Sequence, residues 1–200
     1  QYINVTVDVG LSETVGWWNT IEQIETENGQ HKFVLGNLGL NNKYHPSKDN
    51  ALHVYLNDFD DNGTQDIVLA KAQDAILYPV RGRQCSSQQM PFIAQKFESY
   101  DLFAKADVET IYTAEKLNEA IHFEAQTFAN SFLTIENGGY SIEEMPSAYQ
   151  TGPINSVVVD DFNNDGNTDF FSFGNKFEAE VETIRYDGNP SIFYKGGTDL

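Results

Sequence analysis

Cysteine is almost missing from this 200-residue chain: Cys85 stands alone. No internal disulfide can form, so any staple beyond the core must come from elsewhere, such as a bound metal. A single cysteine neither requires nor excludes an exported protein. Basic residues are also few, 12 Lys and Arg against 30 Asp and Glu, for a formal net charge of −18. That balance argues against a nucleic-acid partner, whose phosphates need clustered Lys and Arg, and against an anionic membrane surface. No run of about 18 apolar residues occurs, so no membrane-spanning helix is expected. The chain opens at Gln1 without a methionine or signal peptide and is expected to be a processed or trimmed product.

Catalytic signatures are scarce too. The four histidines, His31, His45, His53 and His122, do not stand at metal-ligand spacing, and neither H-E-x-x-H nor G-x-S-x-G occurs. Cys85 lies between Arg81 and Arg83 on one side and two serines on the other, a basic setting that lowers thiol pKa values, but no histidine is placed beside it. The adjacent Trp17 and Trp18 could stack on sugar rings, although core packing is the more ordinary use.

What the chain does contain is a repeated loop. Asp58-Phe-Asp-Asp-Asn-Gly-Thr-Gln-Asp66 and Asp161-Phe-Asn-Asn-Asp-Gly-Asn-Thr-Asp169 each place an oxygen-bearing side chain at positions 1, 3 and 5, glycine at 6 and aspartate at 9. Ca²⁺ takes six to eight oxygens at about 2.3–2.6 Å, and such a loop can wrap it. An EF-hand would need a Glu at position 12 and flanking helices; here position 12 is Leu69 or Ser172. The flanks Leu52–Leu56, Ile67–Ala70, Val157–Val159 and Phe170–Phe173 are β-branched and aromatic and read as strands. The competing reading is a metal-free Asp/Asn/Gly turn, since those residues favour turns anyway. Two matches with the same aromatic at position 2 and the same closing aspartate favour calcium.

The rest of the chain reads as strand, turn, strand. Ile21–Glu27 and Lys32–Leu35 flank Asn28-Gly29; Ala75–Val80 is a further strand; Asn130–Ile135 and Tyr140–Glu144 flank a turn at Asn137-Gly-Gly139. A last pair is expected in Glu180–Tyr186 and Ser191–Tyr194. A helical insertion is expected over about 91–121. There Ile93, Phe97 and Tyr100 share one helix face, and Asp107 and Thr113 serve as N-caps for two more short helices. Trp18–Gly39, Val54–Lys71 and Ser156–Asn175 form an internal repeat. Aligned on Gly29, the first unit offers Ile24, Thr26, Asn28 and Lys32 at the ligand positions, and a closing lysine repels a cation, so this loop is expected to stay empty.

Gly16-Trp-Trp-Asn19, Gly36-Asn-Leu-Gly-Leu-Asn41, Asn57–Asp66 and Val159–Asp169 together resemble FG-GAP/VCBS-type repeats, which are related to integrin α-chain propellers. The likeness is nearest to the exported FG-GAP repeat proteins of Bacteroidetes and covers nearly the whole chain, residues 1–200. The ASPIC/UnbV segment often found with them is not seen. The resemblance implies an all-β fold of β-propeller-type blades carrying the helical insertion, with Leu35-Gly36-Asn37 and Phe173-Gly174-Asn175 at the family's Phe-Gly position. It implies two calcium ions. Asp58, Asp60, Asn62 and Asp66 supply side chains to the first, with the Thr64 carbonyl; Asp161, Asn163, Asp165 and Asp169 supply the second, with the Asn167 carbonyl. Asn62 and Asn163 replace the usual carboxylates, leaving three per loop. A blade takes about 40–50 residues and a closed propeller about four to eight blades, so this chain holds about three or four and reads as a partial propeller or fragment, with edges open to pairing with another copy.

The expected function is that of an exported module, extracellular, cell-surface or periplasmic, in which calcium is structural and the partner is a protein or polysaccharide. The alternatives are a carbohydrate-active enzyme on a propeller scaffold and a structural segment of a larger surface protein. The residues weigh against an enzyme, because the Asp-rich loops are already accounted for by calcium.

Overall fold

A computed structural model of the protein describes residues 2–25, 31–136, 138–179 and 183–197. In chain order the strands are β1 (Thr20–Glu25), β2 (His31–Gly36), β3 (Leu52–Asn57), β4 (Asp66–Gln73), β5 (Ile76–Pro79), β6 (Ile121–Ala125), β7 (Ser131–Glu136), β8 (Gly139–Glu144), β9 (Ser156–Asp160), β10 (Asp169–Phe173) and β11 (Ile192–Tyr194). Five short helices separate β5 from β6: α1 (Arg83–Gln89), α2 (Phe92–Lys96), α3 (Tyr100–Ala104), α4 (Val108–Tyr112) and α5 (Ala114–Glu119). The protein is mostly β, in three antiparallel sheets ordered β1-β2-β7-β8, β11-β10-β9 and β5-β4-β3-β6. Among the described residues no helix is long and apolar enough to cross a membrane.

The chain divides into two compact units. Residues 1–45 and 127–200 form the first and 46–126 the second, so the second is inserted in sequence between β2 and β7. In the first unit, Ile24, Val34, Phe132, Met145, Ile154, Val157, Phe170 and Tyr194 form a core. Phe170 stacks on Tyr194 at 3.8 Å between centroids and meets Phe132 edge-on at 6.3 Å. In β10, Phe170 and Ser172 turn inward while Phe171 and Phe173 turn outward, the period-2 pattern of a strand.

Irregular backbone in this unit is held by side-chain amides. Asn130 is wholly buried; its Oδ1 accepts from Asn37 N–H at 2.7 Å, and its Nδ2 donates to the carbonyls of Tyr149 at 2.9 Å and Gly152 at 3.1 Å. Gln150 answers it, accepting from Asn130 N–H at 2.9 Å and donating to the carbonyls of Asn130 and Met145. Buried backbone groups outside a ladder need partners, and the amides supply them. Gly36 and Gly174 allow a close backbone approach to residues 153–155. A Cβ on Gly36 would come within 2.2 Å of the Ile154 carbonyl, and one on Gly174 within 2.4 Å of the Pro153 carbonyl.

In the second unit the helices cover one face of the sheet. Tyr55, Val68 and Ala70 pack with Phe59, Met90, Ile93, Phe97, Phe103, Val108, Ile111 and Tyr112. The expected caps are present: Asp107 Oδ1 accepts from Thr110 N–H at 2.6 Å, and Thr113 Oγ1 accepts from Lys116 N–H at 3.4 Å.

Three expectations need correction. Ile93, Phe97 and Tyr100 do not share one helix: α2 ends at Lys96, Phe97 is extended at φ −121°, and Ser99 caps α3 by accepting from Leu102 N–H. A local cap wins over continued periodicity, so Tyr100 is exposed and Phe103 is buried in its place. The helical segment also opens before residue 91, at Arg83; α1 buries only Ser86 and so has no apolar stripe to mark it in the sequence. Arg83 ties it down by donating to the carbonyls of Phe97 and Ala94. Finally, β11 pairs with β10, and the described part of the expected Glu180–Tyr186 strand, residues 183–186, forms a single bridge, from Tyr186 to Lys176; residues 180–182 lie outside the described residues, as does Asn137 of the β7–β8 turn.

Replacing Asn130 by Ala would orphan one buried N–H and two carbonyls, each costing about 1–3 kcal/mol. Urea unfolding of Asn130→Ala should show a loss of at least about 3 kcal/mol; a loss below about 1 kcal/mol would show that the surrounding backbone satisfies itself.

Candidate metal centre

Each repeated loop joins two paired strands. The ladder of the first ends at Asn57 opposite Asp66, and that of the second at Asp160 opposite Asp169, so residues 58–65 and 161–168 are equivalent connections. Position 4 takes a positive φ in both (Asp61 57°, Asn164 59°), and so does the glycine at position 6 (Gly63 86°, Gly166 88°).

The internal wiring also matches. At position 1, Asp58 accepts from Asn62 N–H at 3.0 Å and Gly63 N–H at 2.8 Å; Asp161 accepts from Asp165 N–H at 3.1 Å and Gly166 N–H at 2.9 Å. At position 5, Asn62 Oδ1 accepts from Thr64 N–H at 2.8 Å, and Asp165 Oδ1 from Asn167 N–H at 3.0 Å. At position 9, Asp66 Oδ2 accepts from Phe59 N–H and Asp169 Oδ2 from Phe162 N–H, both at 3.1 Å. These bonds turn the oxygens of positions 1, 5 and 9 inward and leave Thr64 and Asn167 at the position expected to offer a carbonyl.

In the first loop, carboxylate oxygens of Asp58, Asp60 and Asp66 all lie within 4.8 Å of one another. Three oxygens so spaced can touch one ion at about 2.4 Å, the bond length of Ca²⁺. Asp60 Oδ1 is buried without a hydrogen-bond partner. An anionic oxygen out of water and unpaired is costly, and a cation relieves it. The residues therefore fit a hard divalent cation. In the second loop Asn163 stands at position 3; its Oδ1 accepts from Asp165 N–H at 2.9 Å and its amide nitrogen sits 3.5 Å from Asp169 Oδ1.

Charge around the two loops differs. Hydrogen bonding, chiefly from Gly63 N–H, holds the Asp58 carboxyl below its ordinary pKa, whereas burial pushes that of Asp66 up. Lys116 bonds Asp61, which is not a ligand position, and the Asp58 carbonyl at 2.8 Å. Lys195, by contrast, reaches a ligand position: its Nζ lies 3.0 Å from Asp165 Oδ2 and holds that carboxyl below its ordinary pKa.

The first repeat unit is built differently. Ile24 is buried in the core and pairs directly with Lys32, so both belong to the ladder rather than to a loop. Only residues 26–30 connect Glu25 to its partner His31, shorter than the other two connections, and Thr26 and Asn28 lie outside the described residues. Lys32 Nζ sits 4.3 Å from the centre of the Phe132 ring, and burial lowers its pKa.

Arg81 donates to Gln89 Oε1, and Arg83 donates to the Phe97 and Ala94 carbonyls. Trp18 donates its indole N–H to the Thr14 carbonyl, and Trp17 is partly exposed, tilted against Phe128 at 5.9 Å. One cluster was missed from sequence. His53 and His122 are far apart along the chain, yet β3–β6 pairing sets His53 opposite Glu124 and Tyr55 opposite His122. Two histidines and a glutamate thus meet on one sheet face. The alternation of His122 and Glu124 on a strand was the available signal. Burial is the main cause of a lowered His53 pKa, opposed by Glu124.

Comparison of the chain with protein-family models, with curated proteins and with solved structures finds no match.

The glycines at position 6 have open space where a Cβ would go, so only their backbone conformation forbids a side chain. Gly63→Ala and Gly166→Ala should each cost about 1–2 kcal/mol in metal-free urea unfolding, and the asparagine variants distinctly less. Equal losses for Ala and Asn would show that φ is not the constraint.

Proposed function

We propose that both loops bind Ca²⁺ and that the ion is structural, in an exported recognition module of the FG-GAP/VCBS type. The observation that carries the calcium reading is the same inward wiring of oxygens in two separate loops, with the unpartnered buried Asp60 oxygen in one of them. A bound ion offsets two of the three carboxylate charges per loop and pins the ends of two strands, so occupancy and folding are coupled. Thermodynamic linkage gives the size of the effect, about 2.7 kcal/mol when calcium stands at 100 times its Kd.

The propeller-type reading rests on sheets that are apolar on both faces. β3, β4 and β6 bury Tyr55, Val68 and Ala70 on one side and carry Leu56, Ile67, Ile121 and Phe123 on the other, the last three exposed. In β9-β10-β11, Val158, Phe171 and Phe193 form a cross-strand row on the outer face, beside exposed Phe162 and Phe173. Sheets stacked as blades need apolar residues on both faces, and uncovered faces suit a segment of a larger propeller. A protein or polysaccharide ligand fits the acidic, loop-rich chain, and no chemistry is assigned to the ions.

Calorimetry on metal-stripped protein should show two calcium sites, with Kd values of roughly 10⁻⁴–10⁻³ M or tighter, and a calcium-dependent rise in Tm. Absence of both would overturn the reading. Asp60→Ala gives a sharper test, because its effects have opposite sign. Without calcium it should leave the protein as stable or more so, by removing an unpaired buried oxygen; with calcium it should lose the stabilisation of the first loop.

Lys195 competes for Asp165, so Lys195→Met should tighten calcium severalfold at the second loop. Titration in an Asp58→Asn background isolates that loop. Unchanged affinity would show that the lysine swings clear at no cost.

A further inference from the structure

We propose that His53, His122 and Glu124 form a second kind of metal site, specific for a borderline divalent transition ion such as Zn²⁺ and independent of the calcium loops. The three residues share one face of the β3–β6 ladder. His53 Nδ1 lies 2.9 Å from His122 Nε2 and 3.4 Å from Glu124 Oε1, and His122 Nε2 lies 3.9 Å from the same oxygen. Tetrahedral zinc, with bonds of about 2.0–2.1 Å, sets neighbouring donor atoms roughly 3.3 Å apart. The three separations bracket that value, so small side-chain adjustments admit an ion.

The arrangement is awkward without one. His53 Nδ1 faces both a nitrogen and a carboxylate oxygen. If that nitrogen carries the proton, it has two acceptors to serve with one N–H; if it accepts from His122 Nε2–H, the Glu124 oxygen still lies 3.4 Å from its occupied lone pair. An ion at the centre turns all three lone pairs into ligands. The rings are already oriented: Tyr55, buried by the helices, stacks on His122 at 4.3 Å and 4°, and the two imidazoles lie within 10° of parallel. Imidazole nitrogens select transition ions over Ca²⁺ and Mg²⁺, which separates this site chemically from the loops.

Three protein ligands leave a fourth position open, and both His122 and Glu124 retain over a third of their side-chain exposure. His122 and Tyr55 also line a cavity of about 570 Å³, whose walls include Asp107, Glu109 and Asn118. Of the three ligands, His122 thus stands between the cluster and a space large enough for a small polar ligand.

The test is a Zn²⁺ titration of the metal-stripped full chain in saturating calcium, so that the loops are filled. One Zn²⁺ per chain is expected. Loss of an outer partner of a metal ligand already costs about 10–100-fold in affinity, so removing a direct ligand in His53→Ala, His122→Ala or Glu124→Ala should cost at least that much. Calcium binding should be unchanged in these variants. Co²⁺ should give visible bands of four-coordinate intensity that the variants lose. Should a histidine variant fail to fold, histidine NMR of the unmodified chain decides: Zn²⁺ should perturb His53 and His122 before His31 and His45. Equal response of all four histidines, or Zn²⁺ affinity unchanged in the folded variants, would overturn the proposal.

Discussion

The buried aspartate at the foot of each repeated loop constrains everything around it. Asp66 and Asp169 start their strands almost wholly shielded from water, where a carboxylate is tolerable only if its oxygens are engaged. One oxygen of each draws in the N–H of the aromatic at position 2, which closes the loop on itself. The other is met from outside the loop, by Gln89 in one unit and by Gly196 N–H in the other. Loop, strand pair and packed neighbour are thereby tied to a single anionic group. That group is also the ninth-position oxygen a cation would use, so binding would strengthen an arrangement the fold already makes.

Away from the loops the same need, partners for buried polar groups, is met by neutral amides. Asn37, Asn130 and Gln150 stitch three irregular segments together where no ladder can form. Gly36 and Gly174 complement them, since backbone in these places runs closer to backbone than a Cβ allows. Directional bonds and close backbone approach hold these segments in addition to the apolar core.

Much of this was legible in the sequence. Alternating β-branched and aromatic runs marked the strands beside the loops, and Asp107 and Thr113 marked helix starts, because these signals are local. Helix α1 was not legible, since Arg-Gln-Cys-Ser-Ser-Gln-Gln buries one serine and is held by Arg83 from afar. The break between α2 and α3 was hidden because Ser99 competes with an apolar period that continues through it. Glycine alignment misplaced Ile24 and Lys32, because only strand register shows that they face each other within a ladder. The histidine pair was invisible for the same reason: β3–β6 pairing, not spacing, brings it together. At the repeated loops the spacing of oxygen-bearing side chains was visible in the sequence, whereas the Lys195 contact with Asp165 was not, because it depends on where β11 returns the chain.

The insertion of one unit into another bears on the order of folding. β2 pairs with β7, Leu35 opposite Ser131, so closing that pair directly in an unfolded chain means closing a loop of roughly 95 residues. Within the inserted unit, Leu52 is the ladder partner of Ala125, so its own ends are brought side by side when β3 and β6 pair. Once it has folded, the effective loop between β2 and β7 shrinks to about 20 residues, a saving of roughly 1.3 kcal/mol in closure entropy. The insertion thus acts as a built-in clasp: once the inner unit has folded, the β2–β7 seam closes at a lower entropic cost.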